Sequence, residues 1–264
     1  MTTTLTEAAP MAEPGIHCHA WALPSGDTGP GVARGLLRDT LRQWRLPDEL
    51  IDDAVLAVSE LTANLVQHVM SKHHDLRDRS PELWLYRRGA GERDQIVCKA
   101  FDPLRDWAPD TPADELDEHG RGLSIVDAVV TDWGCHLTRS MLGGPGRSVP
   151  GKAVWFAIDA PLAPEPTVAW TAPEAARLLQ RALVTRDIPC RRDQDGGRAV
   201  VSVFDGPIVR CEERTFTWML GRELTRRPYG ELVEVTERLV QIHEQRTART
   251  AGSSTRASVN TKEG

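Results

Sequence analysis

The stretch Ala160-Pro161-Leu162-Ala163-Pro164-Glu165-Pro166 places three prolines within seven residues. Each proline fixes its own φ, lacks a backbone N–H and pushes the residue before it toward extended backbone. Neither a helix nor a central strand tolerates that density, so whatever comes before must close its core by about residue 159. The 264-residue chain therefore divides into a long unit over 16–159, a linker over 160–170 and a shorter unit over 171–245. Both ends, 1–15 and 246–264, are poor in large apolar side chains and are expected to be disordered.

Composition removes several classes. A formal net charge of -6 argues against a phosphate-backbone footprint, so no nucleic-acid partner is expected. No apolar run approaches the roughly 20 residues of a membrane span, and the first residues lack the pattern of a signal peptide. Cys18, Cys98, Cys135, Cys190 and Cys211 are odd in number, widely spaced and without a C-x-x-C pair. Reduced thiols in a cytoplasmic protein are the expectation.

Within 16–159 the pattern predicts a strand over Ile16 to Leu23, a helix over Gly31 to Trp44 and a long helix from Pro47, at N1, to Met70. Strands follow over Glu82 to Arg88 and Gln95 to Phe101, then a polar loop over Asp102 to His119 and a helix over Gly122 to Val130. Trp133 to Thr138 and Lys152 to Ile158 read as further strands around a Gly/Pro loop. This order predicts an α/β (α+β) two-layer sandwich: a mixed, mostly antiparallel sheet with helices on one face.

The long helix places Ile51, Val55, Val58, Thr62, Leu65 and Val69 on one side and Asp53, Glu60, Asn64 and Gln67 on the other. A solvated polar face accounts for the second set. Glu60 and Asn64, at i and i+4, also put a carboxylate beside an amide oxygen, a pair suited to a hard cation and a proton transfer. His119-Gly120-Arg121-Gly122-Leu123 leads into the next helix, whose unpaired N–H groups and dipole favour a phosphate; a flexible turn is the plainer reading. Asp102 ends an apolar strand, where its carboxylate either starts a turn or accepts a hydrogen bond from a purine amine.

In this order the residues resemble the Bergerat-fold (GHKL) histidine-kinase-like ATPases, and within them the actinobacterial ATP-binding proteins similar to anti-sigma-factor serine kinases. Leu46 to His68 resembles the helix called the N-box, Phe101-Asp102-Pro103 the adenine-binding aspartate box and Glu118 to Val126 the glycine box. Asp132-Trp133-Gly134 and Gly151 to Phe156 resemble the strands that follow. The resemblance covers about 16–159 and implies the Bergerat fold with ATP and Mg²⁺ as cofactors. It makes Asn64 the Mg²⁺ ligand and Glu60 the general base that deprotonates an acceptor serine. Asp102 would bind the adenine amine, with Gly120, Arg121, Gly122 and Leu123 as a lid over the phosphates. Members commonly carry glycine where Pro103 and Leu104 stand and threonine where Ala153 stands. The resemblance implies a serine/threonine protein kinase acting on a sigma factor or an anti-sigma antagonist. The alternatives are a non-catalytic, nucleotide-dependent module that sequesters a transcription regulator, and an α/β domain without nucleotide; a homodimer stays open.

Other signals are weaker. Gly146 to Lys152 spells the Walker A skeleton, but Ala153 replaces its Ser/Thr and a strand follows where the motif needs a helix. His17, Cys18 and His19, with His68, His73 and His74, lack a third ligand at convincing spacing for a metal. Asp193 to Gly197 reads as a hairpin turn. In the second unit, Thr171-Ala172-Pro173-Glu174 has the form of a capping box. Ala175, Leu178, Leu179 and Ala182 continue it as a helix, and strands are predicted over Ala199 to Phe204, Ile208 to Cys211 and Thr215 to Met219. Leu232, Val235, Leu239 and Val240 mark a final helix. This is a small α+β module without recognisable chemistry; Arg210, Arg214, Arg222, Arg226 and Arg227 read as a solvated surface.

Overall fold

A computed structural model of the chain describes residues 7–8, 18–72, 80–89, 94–105, 120–162 and 168–259. Helix α1, Gly29–Gln43, carries proline in its first turn and buries Ala33, Leu37 and Leu41, spaced four apart. Arg45, at φ 58, reverses the chain into α2, Asp48–Lys72. Pro47 is not at N1: its carbonyl accepts from the Ile51 N–H at 3.1 Å, so it caps the helix from outside. Ile51, Val55, Val58, Thr62 and Leu65 are buried as their spacing predicts. The Thr62 hydroxyl bonds the Val58 carbonyl at 2.6 Å, which satisfies it in an apolar core.

Six strands form the first sheet: β1 (Glu7–Ala8), β2 (Cys18–Ala22), β3 (Glu82–Arg88), β4 (Gln95–Asp102), β5 (Asp132–Arg139) and β6 (Pro150–Asp159). Their order is β1-β2-β3-β4-β6-β5, and every pairing is antiparallel, not mixed as expected. The crossover from β4 to β5 through α3, Gly120–Val129, does join two parallel strands, but β6 lies between them and opposes both. The pair Glu7–Ala8 extends the sheet within the N-terminal stretch expected to lack structure.

Alternation along the strands sorts side chains to two faces. Leu83, Leu85, Ile96, Cys98, Ala100, Phe156 and Ile158 meet α1 and α2. Trp84, Tyr86, Val97, Phe101, Ala153 and Ala157 line the other face, which the second unit covers with Val233. Helices on one face thus describes the first unit's own helices, while a helix from later in the chain closes the other side.

The second unit opens with α4, Ala172–Thr185, capped as its sequence predicts: Thr171 and Glu174 make both bonds of the capping box. A five-stranded antiparallel meander follows: β7 (Cys190–Asp195), β8 (Arg198–Val203), β9 (Ile208–Glu212), β10 (Thr215–Leu220) and β11 (Glu223–Pro228). Strands β7 and β11 are both sheet edges, and their charged sequences Cys-Arg-Arg-Asp-Gln-Asp and Glu-Leu-Thr-Arg-Arg-Pro hide them from a hydrophobic-pattern search. Gly196, at φ 56, turns the predicted hairpin between β7 and β8. A 3-10 turn at Tyr229–Glu231 leads into α5, Leu232–Val259. That helix runs past residue 245, where order was expected to end. There the Thr247 and Thr250 hydroxyls donate to the carbonyls of His243 and Arg246, four residues back, which satisfies them within the helix. Leu178, Leu179 and Leu183 of α4 and Val235, Leu239 and Val240 of α5 share a core with Val201, Val209, Phe216 and Trp218. Residues 163–167 of the proline-rich linker, like Ile16 and His17, lie outside the described residues. Ala160 still packs on the first core, its N–H bonded to the Asp94 carbonyl at 2.9 Å.

Candidate functional site

Glu60 and Asn64 occur one turn apart on α2, both half-buried, at the border between its core face and its exposed face. The neighbour that covers them is α3. This helix begins at Gly120, two residues earlier than the sequence predicts, so Gly120, Arg121 and Gly122 form its first turn. Their backbone N–H groups are among those a helix cannot pair internally. Leu123 and Val126 anchor this turn on the first core. A Cβ added at Gly122 would stand 2.9 Å from Glu60 Oε2 and 3.4 Å from Asn64 Nδ2. The helix start and the acid–amide pair thus meet closely enough that a side chain at position 122 would displace the Glu60 carboxylate. Residues 106–119, with Glu118 and His119, lie outside the described residues, as do 73–79 with His73 and His74.

Asp102 ends β4 and is buried on the helix-covered face of the sheet. Its carboxylate is engaged on both oxygens: Lys152 Nζ is 3.1 Å from Oδ2, and the Leu104 N–H donates to Oδ1 at 2.8 Å. Asp102 and Lys152 are directly opposite in the β4–β6 ladder, so the ion pair follows from strand register. Gly151 permits this approach, because a Cβ there would clash with the Asp102 carbonyl and with the Phe101 ring at 2.7 Å. In the sequence Lys152 drew notice as the end of a Walker A skeleton and the start of a strand, not as a partner of Asp102. The structure runs that skeleton from a loop into β6, as its context predicts. Ala153 points to the opposite face, among Trp84, Tyr86 and Phe101, so a threonine hydroxyl at that position would not share the face of Asp102.

A second polar cluster, unseen in the sequence, lies between the two units. Glu237 of α5 is buried and meets Lys99 Nζ at 3.1 Å, the Arg186 guanidinium, and the Thr138 hydroxyl at 3.4 Å. Glu234 accepts from the Tyr86 hydroxyl at 2.7 Å, and Glu244 pairs with Arg139 at 3.1 Å and with Arg105. Arg186 also stacks 5.0 Å over the Trp84 ring. Burial alone would raise the Glu237 carboxyl, but Arg186 and Lys99, joined by His136, hold it well below the usual range. Burial and then Lys99 push His136 down, so its ring is held neutral. A cleft of about 140 Å³ opens beside Lys99, His136, Trp155 and Glu237. The signal for this seam was present in the spacing of Glu234, Glu237 and Glu244 along one helix, but nothing local tells buried carboxylates from solvated ones.

All five cysteines are free thiols. Among the described residues no group of three or more His, Cys, Asp or Glu is placed to hold a metal ion, and no helix is long and apolar enough to cross a membrane. No protein-family model and no curated protein matches the chain. The site's geometry therefore carries the functional argument.

Proposed function

We propose that the first unit is a Bergerat-type ATPase domain that binds Mg·ATP and transfers the γ-phosphoryl group to a serine or threonine of a protein partner. A sigma factor or an anti-sigma antagonist is the partner class this reading favours, in a cytoplasmic setting. The observation that supports it is the apposition of Gly122, in the first turn of α3, to Glu60 and Asn64 of α2. Two segments converge there: α2, with its acid and amide oxygen, and the N-terminus of α3.

The donor set fits magnesium bound together with a nucleotide. Mg²⁺ takes few protein oxygens and completes its shell with water and phosphate, which a single amide oxygen on Asn64 allows. Bound there, the ion would neutralise charge on the phosphates. The first turn of α3 presents N–H groups to phosphate oxygens. Glu60 takes the proton of the acceptor hydroxyl as that oxygen bonds the γ-phosphorus and the bond to the β–γ bridging oxygen breaks, releasing ADP. Asp102 and Lys152 are an acceptor and a donor that would take the edge of the base by opening their own ion pair.

A second reading, a nucleotide-dependent binding module that transfers no phosphate, draws on one observation: Gly122 stands directly against the Glu60 carboxylate that the transfer step needs free. Titration calorimetry with Mg·ATP, paired with transfer assays on serine-bearing candidate partners, separates the two. Glu60→Ala is expected to keep nucleotide binding and lose transfer by at least 10²-fold, the scale of a general base. Asn64→Ala is expected to abolish the Mg²⁺ dependence of binding. Binding without transfer in the wild type supports the second reading, and no nucleotide binding overturns both.

A further inference from the structure

The second sheet has one face packed on α4 and α5 and one face open. Strand register orders the open face into rows. Arg191 lies opposite Ser202, Ser202 opposite Ile208, and Met219 opposite Leu224. Continuing the β9–β10 register from Thr217 and Arg210 sets Met219 beside Ile208. Ile208, Met219 and Leu224 thus form an apolar row across three strands, and they are 59%, 49% and 62% exposed. Phe204, just past β8, is 58% exposed. Scattered exposed apolar residues need no explanation, but a contiguous row on a sheet face marks an interaction surface.

The next row reads Asp193, Val200, Arg210, Thr217 and Arg226. Across both rows three arginines, Arg191, Arg210 and Arg226, stand against one carboxylate, Asp193. Asp193 is held by Arg191 at 2.9 Å, and Arg226 reaches Glu213 at 3.3 Å in the turn beyond the face. Arg210 is exposed and has no ionic partner among the described residues. The arginine excess is confined to these two rows, because the row beyond sets Arg198 between Asp195 and Glu212.

We propose that this open face is the docking surface for the protein partner, and that it takes an acidic segment with apolar anchors. The anchors fill the row of Ile208, Met219 and Leu224, and the carboxylates pair with Arg210 and its neighbours. The inference rests on the reading of this chain as one that acts on a protein, and not on the nucleotide chemistry. A nucleic acid fits less well, because the row holds no aromatic platform for bases and the chain as a whole is acidic.

The test is selection of a displayed random-peptide library on the full chain, repeated on Met219→Ser/Leu224→Ser and on Arg210→Glu. All three substituted residues are exposed, so the fold should hold, and circular dichroism checks it. The expected result is enrichment of peptides mixing Asp or Glu with Leu, Ile or Phe, bound at least about tenfold more weakly by both variants. Peptides without acidic bias, or peptides the variants bind equally well, overturn the proposal. Sedimentation velocity of the same proteins covers the other occupant: self-association in the wild type that the variants lose would assign the face to a second copy and also overturn it. Mg·ATP affinity, measured in parallel, is expected to be unchanged, so failure of docking and failure of the nucleotide reading give different results.

Discussion

Gly122 shows how much one missing methyl decides. Alanine at that position should favour helix, though in a first turn by less than the roughly 1 kcal/mol that separates it from glycine in a helix interior. It would also push on the Glu60 carboxylate and on Asn64, which lie 2.9 Å and 3.4 Å from the added carbon. Gly122→Ala is therefore expected to keep or raise the melting temperature while weakening Mg·ATP binding about tenfold, near 1.4 kcal/mol. Calorimetry and thermal melting on one preparation check both halves. A fall in stability with unchanged binding would make the glycine structural. Lys152 carries the complementary lesson: it is an ordinary strand lysine until the ladder sets it against Asp102.

At the scale of elements, α4 is the clearest case of local sequence dictating local structure. Thr171 Oγ1 accepts from the Glu174 N–H at 3.4 Å, and Glu174 accepts from the Thr171 N–H at 2.8 Å. Thr171→Ala removes the first of these and is expected to cost about 1 kcal/mol in urea unfolding, with the slope of the transition unchanged. The helix then ends at Arg186, whose side chain meets Glu237 of its own unit and crosses to Thr138 and the Arg139 carbonyl of the first. Helix α5 does the same in reverse. Its apolar side completes the second core, while Glu234, Glu237 and Glu244 reach across the first sheet.

At the scale of the whole molecule, the seam makes stability depend on pH. His136 faces Lys99 from β4 and Glu237 from α5, and its folded pKa lies below the ordinary 6.5. The unfolded chain therefore takes up a proton near 6.5 that the folded protein refuses until lower pH. Stability is full above that range and falls as pH drops through it, by up to about 1.4 kcal/mol per unit for one proton. Glu237 adds loss at lower pH: its depressed carboxyl stabilises the fold above 4.5 and ceases to do so as pH falls through the folded value. Chemical denaturation from pH 8 to 5.5 is expected to show this decline in the wild type and a flatter profile in His136→Asn. Parallel profiles would mean that another group sets the dependence.

Much of this was legible from sequence because it is local. The proline cluster, the two apolar helix faces, the β3–β4 pair, the capping box and the positions of Glu60, Asn64 and Gly120 to Leu123 depend on neighbours within a few residues. Strands β7 and β11 were not legible, because edge strands need little burial and their charges imitate loops. The two carboxylate sites diverge for the same physical reason. Asp102 could be placed at a strand end from sequence, but its partner Lys152 is set by a register that joins residues fifty positions apart. Sequence by itself determined where most of the elements lie and which residues are candidates for chemistry. Only the tertiary structure decided that Gly122 closes on Glu60 and Asn64, that carboxylates of α5 are buried against the first sheet, and that one face of the second sheet is left open, since docking and register are settled by contacts between segments that no local window contains.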